Sequence, residues 1–250
     1  MKALVTGASS GIGRDIAIEL GKRGYDLILV ARNEEKLKET AKNINANVKI
    51  ILKDLSSKEN CMQLYEETKN DNIDILVNDA GFGVHGKFVD TDLDKEIQMI
   101  ETNITAVHIL MKLYLKDMVD RDSGHILNVA SMGAFGPGPL MSAYYASKAY
   151  VYRLSEGVKT ELKKNNSKVK ISVLCPGPVR TNFNKVAGVD FAAPSLSSEY
   201  VANYTVNKVL KNKFSIVPGT LMKITRFLEK LAPHNLVSNV AYFVNYRKDK

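Results

Sequence analysis

Short apolar runs alternate with longer amphipathic stretches along most of the chain. Lys2–Thr6, Leu27–Ala31, Val48–Lys53, Ile73–Val77, His125–Ala130, Val169–Leu174 and Phe214–Val217 are brief, largely apolar and soon followed by turn-forming residues, so they read as strands. Helical periodicity fills the gaps: to about Gly24 after the first run, then over about 34–43, 93–120, 142–164 and 198–211. Cys61, Leu64, Tyr65 and Thr68, at i, i+3, i+4 and i+7, mark another helix, which Ser56 or Ser57 can cap. Strands that alternate with helices build βαβ units, so the expected class is α/β, with a mostly parallel seven-stranded sheet and helices on both faces. Residues 182–196 lack any period and read as a mobile substrate loop, while 220–247 reads as C-terminal amphipathic helices. No repeat or linker interrupts the pattern, so 1–250 is expected to be a single domain.

Composition narrows this little. A chain of 250 residues, 45% hydrophobic and 25% charged, can bury a large core. Cys61 and Cys175 form no disulfide framework, and with four scattered histidines they show no metal-ligand spacing, so no metal is expected. The first strand follows a single lysine, unlike a signal peptide. No apolar run approaches the ~18 residues of a membrane span. A reducing cytoplasm suits this inventory.

The net charge of +8 is concentrated at one end: from Lys208 onward there are nine Lys/Arg against Glu229 and Asp249. No nucleic-acid reading motif accompanies that charge, so nucleic acid is not an expected partner. Leu221, Met222, Ile224, Phe227, Leu228 and Leu231 share a helical face flanked by Lys223, Arg226 and Lys230, and Leu236, Val237, Val240, Phe243 and Val244 repeat the pattern. Three readings stand: helices packed on their own domain or a sister subunit, an interfacial helix on an anionic membrane, or a lid that attracts an anionic acyl thioester.

The chemistry lies elsewhere. Gly7-Ala8-Ser9-Ser10-Gly11-Ile12-Gly13 joins the first strand to the first helix, an arrangement in which backbone N–H groups receive a pyrophosphate. The second strand ends in Ala31-Arg32 with no carboxylate for a ribose 2′-hydroxyl; an arginine there suits a 2′-phosphate and points to NADP. Tyr144 and Lys148 are four apart on a helix, so they share a face, and a nearby ammonium favours the phenolate. Asn103 sits inside a helix, where asparagine is a poor fit.

In combination, Thr6 through Gly13, Asp54, Asn78-Asp79-Ala80-Gly81, Asn103, Ser131, Tyr144-x-x-x-Lys148 and Pro176-Gly177 resemble the short-chain dehydrogenase/reductase family over about residues 2–190. The resemblance implies a Rossmann-like, doubly wound fold. It implies that Tyr144 exchanges the proton with the substrate oxygen, that Ser131 hydrogen-bonds that oxygen, and that Lys148 holds the nicotinamide ribose and lowers the Tyr144 pKa. Asn103 would anchor a water that replenishes the proton. Gly7, Ser9, Ser10, Gly11, Ile12 and Gly13 would line the pyrophosphate, Arg32 and Asn33 the 2′-phosphate, and Asp54 and Leu55 the adenine. Asn78, Ala80 and Gly81 would follow the ribose, with Pro176, Gly177, Val179 and Thr181 at the nicotinamide end. Asp79 departs from the family pattern, which usually has a second asparagine there. The family also pairs its long helices, here about 93–120 and 142–164, into homodimers or homotetramers.

Met132 and Phe183, with Phe82, Val84, Phe135, Leu140 and Met141, give an apolar lining, so the expected substrate is a hydrophobic ketone or aldehyde, such as a 3-oxoacyl or steroid-like one. The expected activity is NADPH-preferring carbonyl reduction. Rival readings are a membrane-associated lipid-metabolic reductase and a catalytically silent cofactor-binding sensor or scaffold. A sensor needs no proton donor, so the full Asn103, Ser131, Tyr144 and Lys148 set argues against it.

Overall fold

The computed structural model describes residues 1–183, 187 and 195–246. The first half runs β1 (Lys2–Thr6), α1 (Gly11–Lys22), β2 (Asp26–Ala31), α2 (Glu34–Lys42), β3 (Val48–Leu52), α3 (Lys58–Thr68), β4 (Ile75–Asn78), α4 (Leu93–Ile100) and α5 (Val107–Asp120). It continues through β5 (His125–Val129), α6 (Ser142–Lys164), β6 (Lys170–Leu174), β7 (Val179–Arg180), β8 (Leu196–Ser197), α7 (Ser198–Val209), β9 (Ser215–Ile216), α8 (Thr220–Leu231) and α9 (His234–Tyr246). The main sheet has the order β3-β2-β1-β4-β5-β6-β9, and every neighbouring pair is parallel.

Such strands are covered on both faces, which is why they are continuously apolar in sequence. Side chains alternate across the sheet. Ala3, Val5, Leu27 and Leu29 point into one layer with Ile16 and Leu20 of α1, Leu37 of α2 and Val206 of α7. Leu4, Ile28, Val30 and Leu76 point into the other with Leu64 of α3, Leu110 and Met118 of α5, and Leu162 of α6. Each such leucine contributes roughly 1.5–3 kcal/mol by leaving water.

Most strand ends shift by one or two residues from the sequence reading, and two differences are informative. Ile73 is buried yet precedes β4, because its carbonyl accepts a hydrogen bond from Arg121 rather than joining the ladder. β7 and β8 form a separate two-stranded parallel sheet, too short for alternation to betray. Ser57, not Ser56, caps α3, accepting the Asn60 N–H at 3.2 Å. Of the expected substrate loop, 184–186 and 188–194 lie outside the described residues, as does 247 at the tail's end.

After β1 the chain steps outward to β2 and β3, then returns to place β4 on β1's other side. The connections at the carboxyl ends of β1 and β4 therefore leave in opposite directions and open a crevice.

Candidate active site

A cavity of about 1200 Å³ follows that crevice from the start of α2 to the tail helices. Its floor is the turn between β1 and α1. Gly7 has φ +69°, and a Cβ there would sit 2.9 Å from the Ala80 nitrogen; at Gly13 a Cβ would run into Asp79 Oδ2. Side chains at either position would push the β1 and β4 turns apart. Thr6 locks the same junction: its hydroxyl donates to Val77 O and accepts from the N–H groups of Asp79 (3.0 Å) and Ala80 (3.2 Å). The first turn of α1 carries no acidic side chain, so its free N–H groups and positive dipole end remain available to a phosphate. This cradle fits the pyrophosphate of a dinucleotide.

Gly7, Ser9, Ser10, Gly11 and Ile12 line the cavity, as do Ala80 and Gly81. Gly13 and Asn78 act from behind that lining. Gly13 packs under Gly7, and Asn78 donates to Asn128 Oδ1 at 2.8 Å. At the adenosine end Arg32, Asn33, Asp54 and Leu55 line the cavity, joined by Lys36 and Lys53, which sequence reasoning missed. Arg32 reaches Asp54 at 3.6 Å but is largely exposed, while Lys53 is engaged by Glu67 at 2.8 Å. Asn33 also caps α2, accepting the Lys36 N–H at 2.9 Å.

At the other end Ser131 stands beside the Tyr144 hydroxyl and favours the phenolate. Burial pushes the Tyr144 phenol well above its ordinary value, and Ser131 only partly opposes this. Lys148 donates to Val129 O at 3.0 Å, with its ammonium 5.8 Å from the Tyr144 ring centroid. Burial lowers the Lys148 pKa and raises that of Asp79, and each of these two charges supports the other. Burial therefore holds the phenol as an acid here, with Tyr145 and Asp79 adding to it, and the expected lowering by Lys148 is not found.

Asn103 lies in a π-helical segment, Glu101–Ala106, between α4 and α5. Its Oδ1 accepts the Phe82 N–H at 3.1 Å, and its Nδ2 donates to Phe82 O at 2.9 Å and Ser147 Oγ at 3.0 Å. The amide thus ties the loop after β4 to α6, beside the Tyr144 backbone, whose carbonyl accepts from Ser147 at 2.6 Å. Ser147 was not anticipated, though it sits between Tyr144 and Lys148 in the motif itself.

Pro176, Gly177, Val179, Thr181, Met132 and Phe183 line the same end. The Phe183 ring lies 5.3 Å from that of Tyr144, centroid to centroid. The sequence reading also missed Tyr145 and Glu229 as cavity residues. Glu229 Oε2 is buried without a hydrogen-bond partner, and burial raises the carboxyl's pKa despite Arg226. Arg226 does not flank an outer face as the periodicity suggested. It turns inward, donating to Ser215 Oγ (2.6 Å) and Tyr152 OH (2.9 Å) and lying 4.2 Å from the Phe135 ring centroid.

A parallel doubly wound sheet with a phosphate cradle at its switch point and a Ser–Tyr pair beside a lysine defines a dinucleotide-dependent oxidoreductase. Residues 1–190 match the family model for the short chain dehydrogenase. An uncharacterized oxidoreductase of Staphylococcus epidermidis is 33% identical over 207 residues, spanning 82% of this chain and 88% of that protein. A short-chain dehydrogenase from Sphingobium yanoikuyae in complex with NADPH superimposes with a TM-score of 0.82 at 27% identity, covering 93% of this chain and 96% of that one. A Burkholderia phymatum member in complex with NAD shares the fold, with a TM-score of 0.83 at 23% identity over 93% of this chain and 95% of that one. The chain belongs to the short-chain dehydrogenase/reductase family and is an oxidoreductase.

Proposed function

We propose that this protein reduces a hydrophobic ketone or aldehyde to its alcohol with NADPH, Tyr144 giving the proton. The observation that carries the reading is the Tyr144 hydroxyl, lining the apolar end of the dinucleotide cavity together with Ser131 and held protonated by burial. A nicotinamide dinucleotide, when bound, supplies the hydride. Ser131 donates to the substrate oxygen as charge grows there, and Tyr144 completes the alcohol. Lys148 holds the ribose with its ammonium. Three of the four hydrogen-bonding positions of the Asn103 side chain are taken, so the proton-replenishing water is assigned to its backbone carbonyl; a π-segment frees carbonyls from the ordinary helical ladder. Arg32, with Lys36 beside it and no carboxylate at the end of β2, favours a 2′-phosphate. Exposed apolar side chains on the long helices, such as Ile97, Val119 and Tyr150, support a homo-oligomer built through α4, α5 and α6.

A panel of apolar ketones and aldehydes, assayed with NADPH and NADH side by side for the natural chain and Tyr144→Phe, tests this. The expected outcome is a higher kcat/KM with NADPH, and a loss of kcat of roughly 10²–10⁴-fold in the variant, the contribution typical of a positioned proton donor. Full turnover by Tyr144→Phe would sink the proton assignment; an NADPH/NADH ratio at or below about one would sink the cofactor assignment.

A further inference from the structure

The tail helix α8 carries three stripes rather than the usual two. Met222, Thr225 and Glu229 face the cavity, Lys223 and Lys230 stand together beside them, and Leu221, Ile224, Phe227 and Leu231 form a third stripe that is 51–69% exposed. No residue of α8 is buried. An ordinary surface helix uses its apolar stripe against the core; α8 has a second one, uncovered. Around the cavity mouth, Leu228, Leu236, Val240 and Val244 line the cavity and are still 52–57% exposed. The apolar surface therefore runs unbroken from the crest of the tail into the cavity. Exposed patches of this kind mark interaction surfaces.

We propose that this crest seats the protein on an anionic lipid surface, with apolar substrate entering the cavity over the rim from the bilayer. The charge pattern selects the occupant. The cations of the crest, Lys223 and Lys230, are exposed, with Lys223 also lying 5.4 Å from the Tyr204 ring centroid, and the one acid of α8, Glu229, faces the cavity instead. A second copy seated symmetrically on the same crest would set these lysines against their own equivalents and cover both cavity mouths. Among the described residues no helix is long and apolar enough to cross a membrane, so α8 and α9 would lie in the interface plane. Docking stands apart from the redox reading; only the delivery of substrate rests on it.

Co-sedimentation of the full chain with phosphatidylcholine vesicles, with and without phosphatidylglycerol, reads this without turnover. Binding is expected with phosphatidylglycerol and several-fold weaker binding without it. Each lysine near an anionic surface is worth roughly fivefold, so Lys223→Ser with Lys230→Ser lowers affinity for the anionic vesicles by roughly twenty-five-fold. Phe227→Ser with Leu231→Ser removes binding while leaving the thermal midpoint in place, because both side chains are exposed. Sedimentation with neither vesicle, or equally with both, overturns the proposal. So does a dimer in free solution that Phe227→Ser with Leu231→Ser splits while vesicle binding is absent, which would assign the crest to a second copy.

Discussion

Lys148 is 6% exposed, and the charge nearest to it in kind and position is the carboxyl of Asp79. Burial drives the two toward neutrality from opposite sides; Asp79 draws the Lys148 pKa up, while Lys148 and the Gly13 N–H draw that of Asp79 down. Asp79→Asn keeps the shape and the contact with Gly13 but removes the support for the ammonium. Lys148 then loses its proton at lower pH. The alkaline limb of kcat/KM for NADPH-dependent reduction is therefore expected to move to lower pH in the variant. A limb that stays in place would show that Asp79 does not hold the lysine charged. The spacing of Tyr144 and Lys148 was legible in the sequence because a helix turns any i, i+4 pair onto one face. The direction of the Tyr144 shift was not, because it depends on how completely α6 and the loop after β4 close over the ring.

At the scale of elements, strands and their order follow from apolar runs that both faces of a parallel sheet require, and these were readable. The π-segment at Asn103 was not: one extra residue in a turn leaves the hydrophobic spacing of a long helix almost unaltered. Only the misplaced asparagine hinted at it. A second hidden device joins β5, β6 and the turn before β9. His125 opens β5, and its Nε2 lies 2.8 Å from Ser172 Oγ. The Ser172 hydroxyl donates its proton to Lys213 O at 2.7 Å, so Nε2 carries the hydrogen in this bond. Burial, with Lys170 adding to it, lowers the His125 pKa to about 4. A folded value below the unfolded ~6.5 means that the native state resists protonation, so stability is full above about pH 6.5 and falls as pH drops toward 4. Denaturant unfolding should show about 2 kcal/mol lost from this group between about pH 7.5 and about pH 5. His125→Gln, which keeps a donor for Ser172 and cannot charge, should flatten that slope; an unchanged slope would assign it to other groups.

At the scale of the whole molecule, the tail is where sequence and structure part. The periodicity of 220–247 shows two amphipathic helices, but not which stripe faces inward, since that is decided largely by partners distant in sequence. The tail's anchors include Met222 over Gly177, Asn245 between His85 and Pro139 O (2.8 Å to the latter), Lys223 on the Tyr204 ring, and Arg226 on Phe135, Tyr152 and Ser215. Arg226 links α8 at once to the Ser131 loop, to α6 and to β9, so it strongly influences how often the tail lifts from the cavity. A hydrogen bond made by a charged group is worth roughly 1.5–3 kcal/mol. Losing that interaction in Arg226→Ala should raise the lifted population by roughly tenfold or more, with the sheet and its two cores untouched. Limited trypsin digestion reads this directly, because cleavage after Lys223 and Lys230 requires the helix to leave its seat, and its rate follows the open population when reclosing is fast. The expected result is faster cleavage at those two sites with an almost unchanged thermal midpoint. Equal cleavage rates would mean that the remaining anchors hold the tail by themselves, and that its apolar rim stays fixed over the cavity whether or not Arg226 is there.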